Sequence, residues 1–130
     1  MARLPLQNVT LINAAVSSRT NLVRMAVPKF RNGLADHYEA HITETAPLSV
    51  VALAIDTLEL PQRVALIKID VEGHEDAALT GMQALIRRDR PVLIVEANGR
   101  ADALLLAEGY HVRVLPGSSN RVYEPAQPSH

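Results

Sequence analysis

Two nearly unbroken apolar runs, each closing on an acid and separated by one amphipathic stretch, constrain this chain more than any other feature. The first run is Val64-Ala65-Leu66-Ile67-Lys68-Ile69-Asp70. It lacks polar alternation, so it reads as a strand covered on both faces in a parallel sheet. After it, Ala78, Met82 and Leu85 fall at steps of four and three, with Leu79 and Ile86 one position on. That spacing predicts one helix with a single apolar stripe. Glu75 and Asp76 at its start, and Arg87 and Arg88 at its end, complement the helix dipole. Pro91 stops the helix near Arg90. The second run, Pro91-Val92-Leu93-Ile94-Val95-Glu96, is again a strand. Strand, helix and strand within roughly thirty residues form a βαβ unit. Its right-handed crossover makes the two strands parallel. The fold class is therefore α/β.

The flanks are read from weaker signals. Residues 9–16 are β-branched and apolar, and Ser17-Ser18 punctuates their end, which predicts a strand. A weaker strand follows over 22–27, stopped by Pro28. Residues 29–48 read as a loop with a short helix near 35–40, and 48–58 hold a further strand. A helix over 101–108 ends where Gly109 suits the C′ position, and 110–115 form a strand. Residues 118–130 carry Pro and Ser and read as a loose tail. One domain over 1–117, followed by that tail, fits a length of 130 residues.

Composition removes several function classes. The net charge is −1, with no basic stripe for a phosphate backbone, and 3% aromatic residues leave little for base stacking. Nucleic acid is thus not an expected partner. The chain has no cysteine, which excludes disulfides and thiolate chemistry and fits a reducing compartment. No apolar run approaches the roughly 20 residues that cross a bilayer, and residues 1–10 lack a signal-peptide core. The expectation is a cytoplasmic protein with no membrane partner.

Open parallel sheets bind ligands beyond the carboxyl ends of their strands. Asp70, Glu72, Glu96 and Asn98 fall there, and His74 and Glu75 lie at the mouth of the following helix. This is the densest polar cluster in the chain. Each acid has a second reading as a helix cap, and His74 has one as a solvated surface histidine. Lys68 within an apolar strand is expected to snorkel or to meet one of these acids. Gly73 suits a tight turn. Gly81 weakens its helix by about 1 kcal/mol relative to alanine, which predicts a close packing contact. The run 70–81 is no calcium loop, because Glu75 and Gly81 stand where Gly and Glu are required. His74-Glu75 lacks the second histidine of a zincin. No Gly-x-Ser-x-Gly occurs, and the six glycines are isolated, so a glycine-rich nucleotide loop is absent.

Leu66-Ile67-Lys68-Ile69-Asp70-Val71-Glu72-Gly73-His74-Glu75, then Leu79-Thr80-Gly81, then Arg90-Pro91-Val92-Leu93-Ile94-Val95-Glu96 together resemble the signature of FkbM-family methyltransferases. Residues 8–17, the segment Ala54-Ile55-Asp56-Thr57-Leu58 and the pair Gly109-Tyr110 resemble flanking elements of that family, with Ala54 replacing its usual threonine. The resemblance spans most of residues 8–115. It implies a class I methyltransferase (Rossmann-like) parallel sheet with flanking helices, of strand order 3-2-1-4-5-7-6. The family's Asp-x-Gly-Ala-Asn-x-Gly loop and Glu-Pro strand are not found, so a partial sheet is expected, its first two strands missing. The strand ending at Asp70 would then have an open edge, suited to self-association.

The function implied is methyl transfer from S-adenosylmethionine to a hydroxyl of a sugar, polyketide or similar small molecule. The resemblance puts Asp70, Glu72, His74 and Glu75 on the catalytic, acceptor side; His74 stands at the family's variable position, and an imidazole is the side chain best suited by pKa to act as the base. Lys68, Glu96 and Asn98 would contact substrate, and Asn13 and Ala14 would line the adenine side of the cofactor. Asp70 with Glu72 offers oxygen ligands for a divalent ion. The alternative reading is a non-catalytic fragment or paralogue that binds a partner.

Overall fold

The computed structural model describes residues 7–29, 31–35 and 40–127. Its first sheet contains β1 (Ala15–Val16), β2 (Asn21–Ala26), β3 (His41–Ile42) and β4 (Leu48–Leu53) in the order β1-β4-β2-β3. β1 runs parallel to β4, and the other pairs are antiparallel. A 3-10 turn (Ile55–Thr57) leads on to β5 (Leu66–Ile69), α1 (Glu75–Thr80), α2 (Gln83–Asp89), β6 (Val92–Glu96), α3 (Gly99–Ala107), β7 (Tyr110–Val114) and β8 (Asn120–Pro125). The second sheet has the order β5-β6-β8-β7. β5 and β6 are parallel, as the βαβ pattern requires, and β8 is antiparallel to both of its neighbours.

The helices bury their stripes against this second sheet. Leu93 and Val95 share one face of β6 and are fully buried. They join Leu79, Ile86, Leu105 and Tyr123 in one core. Asn98 caps α3 by accepting from the Arg100 N–H at 2.9 Å. Gly109, at φ 76°, lets the chain leave that helix.

Four expectations are corrected. The strand over 9–16 shrinks to Ala15 and Val16, because no described strand pairs with 9–13; Leu11 is 91% exposed. β5 is not covered on both faces. It is the terminal strand of its sheet, and Leu66 is 59% exposed. Lys68, exposed on this strand, meets an acid as expected: it pairs with Asp70 two residues on, on the same face of the strand. The single helix is two, broken at Gly81 and Met82. Finally, residues 118–130 are not a loose tail. β6 needs a partner on the side away from β5, and Asn120–Pro125 supplies it, with Val122 and Tyr123 buried. Of the short helix near 35–40, residues 36–39 lie outside the described residues. β3, at residues 41–42, was not anticipated.

The helix break is built into the fold. No side chain on α2's own N-terminal flank caps it. Asp56, from the 3-10 turn, does so instead, accepting from the N–H groups of Ala84 and Leu85 at 2.9 Å each. The Asp56 N–H in turn donates to the Gly81 carbonyl at 2.8 Å. At the other end of α2, Asp89 is buried, and its carboxylate accepts from Arg88 and from the Val64 N–H at 2.9 Å. The Arg88 guanidinium and then the Val64 N–H hold the Asp89 carboxyl down from 3.8 to about 2. A depressed folded-state value means stability present above the unfolded value and lost as pH falls through the folded one. Thermal stability is therefore expected to decline between about pH 4 and pH 2. Asp89→Asn should flatten that part of a melting-temperature profile, and an unchanged slope in the variant would refute the assignment.

Candidate functional site

The loop leaving β5 carries the polar cluster. Glu72 at φ 45° and Gly73 at φ 86° turn the chain sharply into α1. Such positive values are uncommon for a residue with a side chain. Glu75 is 2% exposed, and both of its oxygens are occupied. Oε1 accepts from the Gly73 N–H at 3.1 Å, and Oε2 accepts from Asn98 Nδ2 at 3.1 Å. Glu75 therefore ties the β5 loop to the cap of α3. Asn98 is committed on both sides, since its Oδ1 also serves Arg100.

His74 occupies the N-cap position of α1, but its ring makes no capping bond. Instead Nε2 lies 3.0 Å from Ser17 Oγ, across the two halves of the chain. Asp70 is exposed and pairs with Lys68 Nζ at 3.0 Å. The Asp70 side chain is 56% exposed, so its carboxylate stays accessible, and an ion pair this exposed contributes little to stability. Glu72 is exposed. Glu96 is half-buried at the end of β6, level with the end of β5 because Ile69 pairs with Val95.

Two clefts open beside β5. The larger, about 390 Å³, runs along its free edge, and its polar lining is Lys68 and Asp70 alone among apolar side chains such as Val16, Ile67 and Met82. The smaller, about 170 Å³, brings Asp70 and His74 together with His41 of β3. Val16, Asp70 and Val71 border both. Glu75, Glu96 and Asn98 line neither cleft. Asn13 is exposed and Ala14 half-buried, just before the Ala15 and Val16 that border the smaller cleft. Among the described residues no third His, Asp or Glu joins Asp70 and Glu72 in a group that could hold a metal. Ser17 and His41 were missed by sequence reasoning. Ser17 looked like strand punctuation, and nothing local announces a partner 57 residues away.

A mixed α/β chain with polar groups where a parallel strand ends is compatible with the α/β enzymes that bind ligands at such strand ends. The comparison with protein families makes this specific. The family model described as the methyltransferase FkbM domain matches residues 4–122, and the chain belongs to that family. No curated protein and no solved structure matches it. Among the described residues no helix is long and apolar enough to cross a membrane.

Proposed function

We propose that this chain is the acceptor-binding part of an S-adenosylmethionine-dependent O-methyltransferase acting on a hydroxyl of a small molecule such as a sugar or polyketide. The observation that carries the reading is the meeting of Asp70 and His74 on one small cleft at the carboxyl end of β5. Methylating an alcohol requires an aligned oxygen and a group that takes its proton. A carboxylate beside an imidazole offers both a proton acceptor and a hydrogen-bond partner for that oxygen. The strand order β5-β6-β8-β7 supports the class I reading, because it repeats the 4-5-7-6 end of that sheet. The lack of cysteine supports a cytoplasmic setting.

S-adenosylmethionine supplies the methyl group in this chemistry. Among the described residues neither cleft completes a site for it. No glycine borders either cleft, and the larger one offers only Lys68 and Asp70 to the cofactor's amino-acid and ribose groups. Calorimetry on the folded chain should therefore show no saturable micromolar binding of S-adenosylmethionine, and saturable binding would overturn the partial-site reading. Sugars and polyols titrated into labelled chain should shift the amide signals of Asp70, Val71 and His74. Shifts elsewhere, or none, would count against an acceptor site here.

The open edge of β5 supports a second reading, a module that pairs with another chain or with its own copy. Sedimentation showing a concentration-dependent dimer would favour it, and a monomer throughout would remove self-association.

A further inference from the structure

We infer that Ser17 is a positioning residue that locks His74 in the tautomer protonated at Nδ1, so that His74 meets the acceptor as a hydrogen-bond donor and leaves proton removal to Asp70. The inference rests on the acceptor reading above and assigns the two roles within it.

The argument begins with Ser17. It is 8% exposed, one of three polar residues buried in the described chain. Its backbone is held on two sides. The Ser17 N–H donates to the Leu53 carbonyl at 3.0 Å, and its own carbonyl lies against Gly81, where even a methyl group would stand only 2.0 Å away. The hydroxyl is therefore presented from a fixed position. Among the described residues Oγ has one hydrogen-bonding partner, His74 Nε2 at 3.0 Å.

A hydroxyl carries one proton, and a neutral imidazole has one N–H and one bare nitrogen. If Nε2–H donated to Oγ, the Ser17 proton would be left in a buried site with no acceptor. That costs roughly the desolvation of a polar group. If Ser17 donates to Nε2, its proton is satisfied, and the ring must carry its own proton on Nδ1. The second arrangement satisfies both groups. Nδ1 makes no hydrogen bond within the described chain, yet no buried side-chain nitrogen there lacks a partner. Nδ1 is therefore not sealed off. It belongs to a residue that lines the smaller cleft together with Asp70. A donor and a carboxylate on one cleft suit a hydroxyl, whose oxygen accepts from Nδ1–H while its proton passes to the carboxylate.

The test is nitrogen NMR of the histidine rings in the purified chain, at about pH 8.5, where an ordinary imidazole is neutral. His74 is assigned by its loss in His74→Gln. The expected spectrum shows a protonated Nδ1 and a bare Nε2, the reverse of the preference of free histidine. Ser17→Ala should return His74 to the Nε2–H form, and Ser17→Thr, which keeps the hydroxyl, should retain Nδ1–H. An Nε2–H ring in the unmodified chain overturns the inference without recourse to any variant. So does a tautomer unmoved in a folded Ser17→Ala. Neither result depends on methyl transfer or cofactor binding, so the acceptor reading and this assignment fail separately.

Discussion

Gly81→Ala is expected to lower the melting temperature by about 10 °C or more, equivalent to roughly 3 kcal/mol for a domain of this size. The sign is not obvious from helix propensity, which favours alanine by up to about 1 kcal/mol in a helix interior. Backbone strain is also no objection, because Gly81 sits at φ −74° and ψ −2°. Space decides the outcome. An added Cβ would lie 2.0 Å from the Ser17 carbonyl oxygen and 3.3 Å from the Ala54 Cα, both backbone atoms. Neither can swing aside as a long side chain would. Ser17 is bonded to Leu53, and the Gly81 carbonyl is itself held by the Asp56 N–H. The first sheet would have to shift away from the helices, carrying Ser17 off His74. Gly99 is the control: nothing stands within 4 Å of its added Cβ and its φ is ordinary, so Gly99→Ala should melt within about 2 °C of the unmodified chain. Equal melting temperatures for the two variants would show that the contact at Gly81 is not as close as described.

That contact also shows what could be read from the chain without coordinates. A glycine inside an apolar helical stripe announced close packing, and close packing is there. What it packs against was not legible, since Ser17 lies 64 positions earlier, just past β1. The parallel pairing of β5 with β6 was legible, because two continuous apolar runs around one helix leave little else to form. The open edge of β5 was expected, but the exposure of its face at Leu66 was not, because an apolar strand looks the same whether that face is covered by protein or open. β8 was hidden for a related reason. Asn120-Arg121-Val122-Tyr123 has too short an apolar core to announce a strand, and it becomes one because β6 offers an unpaired edge. The members of the expected polar cluster divide by environment. Asp70 and His74 border a cleft, while Glu75 and Asn98 hold the scaffold. Spacing puts an acid at a helix start without saying whether its oxygens are spoken for.

Glu75 makes that division measurable. Glu75→Ala is expected to destabilise the chain by about 3 kcal/mol, and Glu75→Gln by roughly half as much. Both partners of the carboxylate are donors, the Gly73 N–H on one oxygen and Asn98 Nδ2 on the other. Alanine leaves both unpaired and empties a site that is 2% exposed. Glutamine fills the site but turns an NH₂ group toward one donor. Asn98 cannot relieve this by flipping its amide, because its Oδ1 then leaves the Arg100 N–H and α3 loses its cap. Two acceptor oxygens are needed, and only a carboxylate supplies them. The damage should also be local before it is global. Amide exchange at Gly73 and Arg100 should accelerate in Glu75→Gln while the core amides of β6 keep their protection. Were Glu75 a catalytic group rather than a scaffold one, the pattern would reverse: Glu75→Gln would melt with the unmodified chain, and its exchange at Gly73 and Arg100 would not change.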